Sequence, residues 1–341
     1  MKLISTIFLI VITVSSLFGQ QDVHFSQFFS SPLTLNPANA GMIEEDVRTI
    51  MNYRTQWGAI SEPFVTMAAS VDMPLMKKAK RGMFGLGANF YKDNAGLSQM
   101  TTAKYGLSLA YHLDISGSLS KHFLSVGFQG NMIQRSMKYD DLTWNDQWDG
   151  NTFDQQIATI DQLGGTAINA LDLSAGIHWY YKKANNKKVF AGASLAHINS
   201  PNVGFDESSL LLQKYTLHGG GEFPIDKKRS SFLTNFVFVK QGPNQYLDVG
   251  GEFKYALQES SKFTNYKNEA YITLGPYLRW GDAAYVVSRF YWNSLSIGLS
   301  YDVNLSNLTV ATNGFGGFEV MLGYNITFNA NPTRGHSVKF N

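Results

Sequence analysis

No cysteine occurs anywhere in the 341 residues. That removes disulfides, thiolate metal sites and cysteine nucleophiles together. Neither sign of charge dominates, with 28 basic against 26 acidic residues. Nothing in that balance suggests a nucleic-acid binder. Long apolar runs are missing after the first twenty residues, so no transmembrane helix is expected in the rest of the chain. Catalytic signatures are missing too. The seven histidines are scattered, with no H-E-x-x-H and no pair at metal-ligand spacing on one strand. No nucleophile with a located base emerges, so no enzyme, no metal and no cofactor is expected.

What is present begins with a leader. Lys2 precedes the apolar run Ile7 to Val14, followed by Ser15, Ser16 and Gly19. This order is that of a signal peptide over residues 1–20, cut before Gln20 or Gln21. Without a following cysteine, a lipoprotein anchor is excluded.

Behind the leader, apolar residues recur at every second position. Leu295, Ile297, Leu299, Tyr301 and Val303 alternate with Ser294, Ser296, Gly298, Ser300 and Asp302. Leu171, Leu173, Ala175, Ile177, Trp179 and Tyr181 alternate with Asp172, Ser174, Gly176 and His178. Successive side chains of a strand point to opposite faces, so each segment is apolar one way and polar the other. Strands are read at 47–57, 63–73, 83–93, 98–113, 119–137, 170–182, 188–199, 211–224, 230–240, 244–257, 269–280, 283–292, 294–304 and 316–329. About fourteen two-faced strands behind a signal peptide predict an all-β chain, a single antiparallel transmembrane β-barrel with lipid outside and a polar interior. Aromatics at 14 % and 31 glycines suit aromatic girdles and small interior residues. The barrel is assigned to residues 47–329 and a C-terminal tail to 330–341.

The connections carry a second signal. Numbered from the first hairpin, the even ones hold Lys77, Lys78, Lys80, Arg81, Lys182, Lys183, Lys187, Lys188, Lys227, Lys228, Arg229, Lys262 and Lys267, whereas the odd ones hold only Lys138. The longest loop, about 138–169, is acidic and falls on the odd side. Long loops belong outside and short turns in the periplasm, so both signals give one orientation, with the chain ends in the periplasm. Lys77, Lys78, Lys182, Lys183, Lys227 and Lys228 form a candidate basic rim for an acidic partner, or solvated hairpin ends. By alternation, Arg48, Arg54, Lys104, Asp172, Asp248, Glu252, Lys254, Arg279, Asp302 and Glu319 face inward. Buried charges of mixed sign need partners, so internal pairing and a narrow or plugged lumen are expected rather than an open pore. Arg54 and Asp302 read as a structural ion pair or as contacts for the arm or a cargo. His178 reads as an interior hydrogen-bonding group.

Residues 21–46 do not alternate. Pro32 and Asn36-Pro37 break regular structure, and Phe25, Phe28 and Phe29 need burial. An irregular periplasmic arm folded under or into the barrel would supply it. In the long loop, Asn145-Asp146-Gln147-Trp148-Asp149-Gly150 is faintly calcium-loop-like, but Gln156 stands where the twelfth-position Glu belongs.

The stretch Gln21 to Gly41 resembles the mature N-terminus of the PorP/SprF family of Bacteroidetes outer-membrane proteins, with its Q-D-x-x-F-S-Q and S-P-x-x-x-N-P-A elements. Tyr53-Arg54-Thr55-Gln56-Trp57 is similar to that family's Y-R-x-Q-W on the first strand. Tyr301-Asp302-Val303 with Ser306, and Gly316-Gly317-Phe318-Glu319 leading to Leu322 and Tyr324, resemble its last two strands. The tail from Thr333 to Asn341 departs from the family's short basic-aromatic ending. The resemblance implies an integral outer-membrane component of type IX secretion and its gliding apparatus. It would support export or surface anchoring of a cargo by binding the cargo's C-terminal domain or other secretion components. It also makes Phe25, Gln27, Asn36, Pro37, Tyr53, Arg54, Gln56, Trp57, Tyr301, Asp302 and Glu319 candidate contact residues. A passive solute channel, or a barrel enzyme of the phospholipase type, is the alternative.

Overall fold

The computed structural model describes residues 22–58, 62–76, 82–96, 100–116, 120–137, 144–154, 156–157, 167–183, 187–205, 209–226, 229–258, 269–306 and 309–328. The leader, the tail 330–341 and Lys77, Lys78, Lys227 and Lys228 lie outside these residues. Fourteen strands run β1 Val47–Gln56, β2 Phe64–Leu75, β3 Gly82–Ala95, β4 Met100–Asp114, β5 Ser120–Ser136, β6 Ala167–Lys183, β7 Lys188–Ala196, β8 Lys214–Pro224, β9 Ser230–Gln241, β10 Asn244–Gln258, β11 Ala270–Arg279, β12 Ala283–Trp292, β13 Leu295–Asn304 and β14 Phe315–Ile326. Each pairs antiparallel with its sequence neighbour. β1 closes the barrel on β14, in a register that sets Arg54 opposite Glu319.

Alternation explains closure. Met51, Leu107, Phe128, Leu171, Ile177 and Leu299 stay exposed on the outer wall. Their in-between neighbours Asn52, Ser108, Gln129, Asp172, His178 and Ser300 are buried inside. In water such an outer wall would be unfavourable. Against hydrocarbon it is the ground state, and closure leaves no unpaired sheet edge. Exposed rings gather towards both ends. Tyr53, Tyr215 and Tyr301 lie towards one end, and Trp179, Tyr324 and Trp292 towards the other. The even strand number puts the start of β1 and the end of β14 at one end, the termini end. The long β5–β6 connection belongs to the opposite, loop end.

The largest boundary differences from the sequence reading are of three residues: β6 starts at Ala167 rather than 170, β14 stops at Ile326 rather than 329, β7 stops at Ala196 rather than 199, and β8 starts at Lys214 rather than 211. His197 takes a left-handed backbone with φ +57°, which ends the ladder there. The chain then turns inward, burying Val203 and Leu211 against Ile133, while Arg135 Nη1 donates to the Val203 carbonyl at 3.1 Å.

Of the two placements expected for the arm, under or into the barrel, the structure has the second: residues 22–46 run inside the lumen from the loop end down to the termini end, rather than lying below it in the periplasm. Ser26, Gln27, Leu33, Asn36, Ala38 and Ala40 are at most 1 % exposed. Alternation along 47–328 says nothing about a segment that lacks it, and only the closed lumen shows where its aromatics are buried.

Candidate functional site

The arm is held at three levels. Its shape comes first, from local chemistry. Pro32 opens a single helical turn, Pro32–Leu35. Asn36 then takes an extended backbone (φ −160°, ψ 123°), which suits a residue preceding proline. Its Oδ1 accepts from the Ala38 amide at 2.9 Å and caps the 3-10 turn Pro37–Asn39. The Nδ2 group reaches the wall, donating to the Ile177 carbonyl at 2.9 Å and the Ala193 carbonyl at 3.2 Å. Gly41, at φ +70°, turns the chain towards β1.

The barrel wall is glycine-lined where the arm touches it. A Cβ on Gly85 would sit 1.7 Å from the Ala40 carbonyl oxygen, and one on Gly127 2.4 Å from the Ala38 nitrogen. On Gly176 it would meet Asn36 Oδ1 at 2.0 Å, and on Gly298 Gln27 Oε1 at 2.2 Å. These glycines stand on β3, β5, β6 and β13. They are the floor of a groove whose shape is that of this arm.

At the loop end, charge does the holding. Ser26 and Gln27 donate their backbone N–H groups to the two oxygens of Glu319, at 2.8 and 3.2 Å. Arg54 Nη1 donates to Ser26 Oγ at 2.6 Å, and Nη2 to Asp302 at 2.8 Å. Ser26 Oγ donates in turn to Asp302, 2.7 Å from its nearer oxygen. Arg279 adds a contact to Ser26 Oγ at 3.3 Å and pairs with Asp248 at 3.1 Å. Two guanidinium groups thus face three carboxylates, all at most 3 % exposed. The arm's two amides supply the remaining positive ends to Glu319. Arg54 stands on β1, Glu319 on β14 and Asp302 on β13, so the arm bridges the strands that close the barrel.

The arm's first described residue forms a second ionic anchor. Asp22 takes Lys214 and His197 Nε2, the latter at 3.0 Å. His197 Nδ1 lies 2.9 Å from Asp172, which also takes Lys104 at 2.7 Å. Burial opposes ionisation of Asp22, but Lys214 and His197 prevail and hold its carboxyl well below the usual range. Burial likewise works against a charged His197, yet Asp22 and Asp172 raise its pKa. Two residues on, His24 is pushed well below its ordinary value by burial and by Arg279 and Arg54, so it stays neutral. At the other end, Gly41 N donates to Asp72 at 2.7 Å, Arg48 pairs with Asp72 at 2.8 Å, and Lys182 lies 3.6 Å from Glu44. Burial pushes Glu44 upward against the pull of Lys182.

Of the candidates read from sequence, Phe25, Gln27, Asn36, Pro37, Arg54, Asp302 and Glu319 all lie buried inside the barrel, Gln27 with the seam residues Arg54, Asp302 and Glu319, and Asn36 and Pro37 against β5 and β6. Arg54 and Asp302 form their pair and contact the arm as well. Gln56 stands beside the Arg54 guanidinium, and with its amide oxygen turned inward accepts from it. Tyr53 and Tyr301 do not join, because they face outward at 40 % and 44 % exposure. Trp57 packs on Phe64 at 4.9 Å at the loop end. Lys182, placed on the basic rim by the sequence reading, instead turns inward and is buried, while Lys183 is exposed. In the long loop, Asp149 Oδ1 accepts from the Asn151 and Thr152 amides at 2.7 Å each, which makes it a turn residue. Sequence reasoning missed Ser26, His197, Lys214 and Arg289. Ser26 was visible only as a letter in the Phe25-Ser26-Gln27 element. His197 and Lys214 lay at misplaced strand ends, and Arg289, which pairs with Glu252 at 2.9 Å, stood in no motif.

The closed fourteen-stranded antiparallel wall, apolar outside and polar inside, defines an integral β-barrel of the outer membrane. Residues 17–324 match the family described as type IX secretion system membrane protein PorP/SprF, and the chain belongs to that family. No curated protein matches it. Solved structures similar to it are other barrels. The TodX monoaromatic hydrocarbon channel, a deltaS2 mutant, has a TM-score of 0.46 at 8 % identity over 88 % of this chain and 94 % of that one. CdiB from Escherichia coli has a TM-score of 0.43 at 9 % identity over 81 % of this chain, which spans 63 % of CdiB. BamA from Haemophilus ducreyi, lacking POTRA domains 1–3, has 0.39 at 9 % identity, over 82 % of this chain and 70 % of that one.

Proposed function

We propose that this outer-membrane barrel serves type IX secretion as a binding partner and not as a conduit or an enzyme. It supports the export or surface anchoring of one secreted or adhesin cargo by contact with that cargo's C-terminal domain. The termini end faces the periplasm and other secretion components. The loop end faces outward, where an anchored cargo would sit. The observation that carries this reading is the arm. It occupies the lumen from end to end, sits in a groove shaped for it and is tied across the barrel seam by buried ions. That filling favours the two rims as places of work over the passage between them. Membership of the secretion family supports the system but leaves the cargo open.

The test is deletion of the gene, followed by an inventory of surface and medium proteins and affinity purification of the intact outer-membrane complex. Loss of one surface protein, and its copurification with the barrel, is the expected result. Unchanged surface proteins together with steady conductance of the purified barrel in planar bilayers would replace this reading with that of a solute channel.

A further inference from the structure

A cavity of about 270 Å³ remains in the lumen at the termini end, beside the arm. Phe28, Phe29, Tyr180 and Phe190 line it. Arg48, Lys188 and Arg289 also border it, but each is paired, with Asp72, Glu222 and Glu252 respectively. The cavity therefore has no claim on a charged guest. His218 borders it as well, 98 % buried, with its ring 5.7 Å from that of His178.

The tautomer of His218 follows from its neighbour. Asn36 Nδ2 is committed as a donor, because it also reaches the Ile177 and Ala193 carbonyls while its Oδ1 accepts from Ala38. His218 Nε2 lies 3.1 Å from that nitrogen, which cannot accept, so Nε2 carries no proton. The proton is left on Nδ1, and Nδ1 has no partner among the described residues. A buried N–H without an acceptor costs free energy that a guest could recover.

We propose that this cavity is a binding site for a compact, neutral, largely apolar molecule carrying one oxygen acceptor, held by the aromatic walls and by the Nδ1–H of His218. Charged molecules are excluded because every cation at the rim is already neutralised. An engineered cavity of about 150 Å³ admits benzene, so this one has room for two fused rings with a small substituent.

The experiment uses the full mature protein in lipid nanodiscs, with empty nanodiscs as the partition control. Two probes are titrated by calorimetry, 2-acetylnaphthalene, which has a carbonyl acceptor, and naphthalene, which has none. In parallel, the ¹⁵N resonance of His218 Nδ1 is followed. The expected result is saturable one-to-one binding, with the ketone about five- to tenfold tighter, the worth of one buried hydrogen bond, and a shifted Nδ1 resonance. His218→Phe equalises the two probes. Leu233→Trp, which fills the cavity from β9, abolishes binding of both. Heat-shifted electrophoretic mobility establishes that both variants are folded barrels. Partition no greater than into empty nanodiscs, which means a cavity holding water only, overturns the proposal. So does equal affinity for the two probes in the unaltered protein, or ketone binding that survives Leu233→Trp.

Discussion

Replacing Arg54 by alanine tests the ionic tie at its centre. The guanidinium touches Ser26 Oγ at 2.6 Å, Asp302 at 2.8 Å and Glu319 at 3.3 Å, and is 1 % exposed. Its removal leaves Asp302 and Glu319 buried, with Arg279 as the remaining cation near them among the described residues, 3.6 Å from Asp302. Breaking a buried pair from one side costs about 3–5 kcal/mol. That loss is read from guanidinium unfolding of the barrel in lipid vesicles, followed by tryptophan fluorescence. Ser26→Ala alone removes a hydroxyl that accepts from Arg54 and donates to Asp302, worth about 1.5–3 kcal/mol. Because both changes break the same contact, the double variant should fall short of additivity by about 1 kcal/mol or more. Loss of under about 0.5 kcal/mol for Arg54→Ala, the size of an ordinary surface change, would refute the claim that this cluster holds the arm to the seam. Strict additivity would refute the shared contact.

Further expectations concern the same arm. Gly127→Val places a methyl-bearing carbon where the Ala38 backbone lies and should expel the middle of the arm. In a Leu33→Cys background, which is clean because the native chain lacks cysteine, maleimide labelling should change from slow to rapid, and labelling as slow as the parent's would count against the groove. Asn36→Ala removes two donated bonds to wall carbonyls, a cost of about 1–3 kcal/mol in the same unfolding assay. His197 gives a pH test. Its pKa is raised in the docked state, so its contribution is complete below the ordinary value of 6.5 and disappears as pH rises through the raised value. Asp22 has a depressed value, so its contribution is complete above 3.8 and fails only as pH falls through the lower one. Labelling of Val23→Cys should accelerate between pH 6 and pH 9 in the parent by more than in His197→Gln. His24, neutral when docked, contributes the opposite dependence below 6.5 equally in both proteins, so it drops out of the difference. Equal pH profiles would remove His197 from the anchor.

How much could be read without coordinates follows from which forces are local. Period-two alternation is a property of each strand alone, and Leu171 to Tyr181 or Leu295 to Val303 display it whole. Strand number, closure and the inward set Arg54, Asp172, Asp248 and Glu319 were accordingly legible. The ends of β7 and β8 were not, since the backbone turn at His197 is stabilised by Asp172 and Asp22, residues far away in sequence. Lys182 looked like a rim residue because a basic pair at a hairpin resembles a solvated turn, and its partner Glu44 lies on the arm.

Amino-acid order alone therefore decided that this is a membrane barrel, which way it closes and which face meets lipid, because those follow from each residue's neighbours two positions away. Tertiary structure alone decided that the N-terminal segment fills the lumen, that its Ser26 joins β1 to β13 and β14, and that His218 keeps an unspent donor beside an apolar cavity. Those depend on groups brought within 3 Å of each other from opposite ends of the chain, and no local pattern encodes such a meeting.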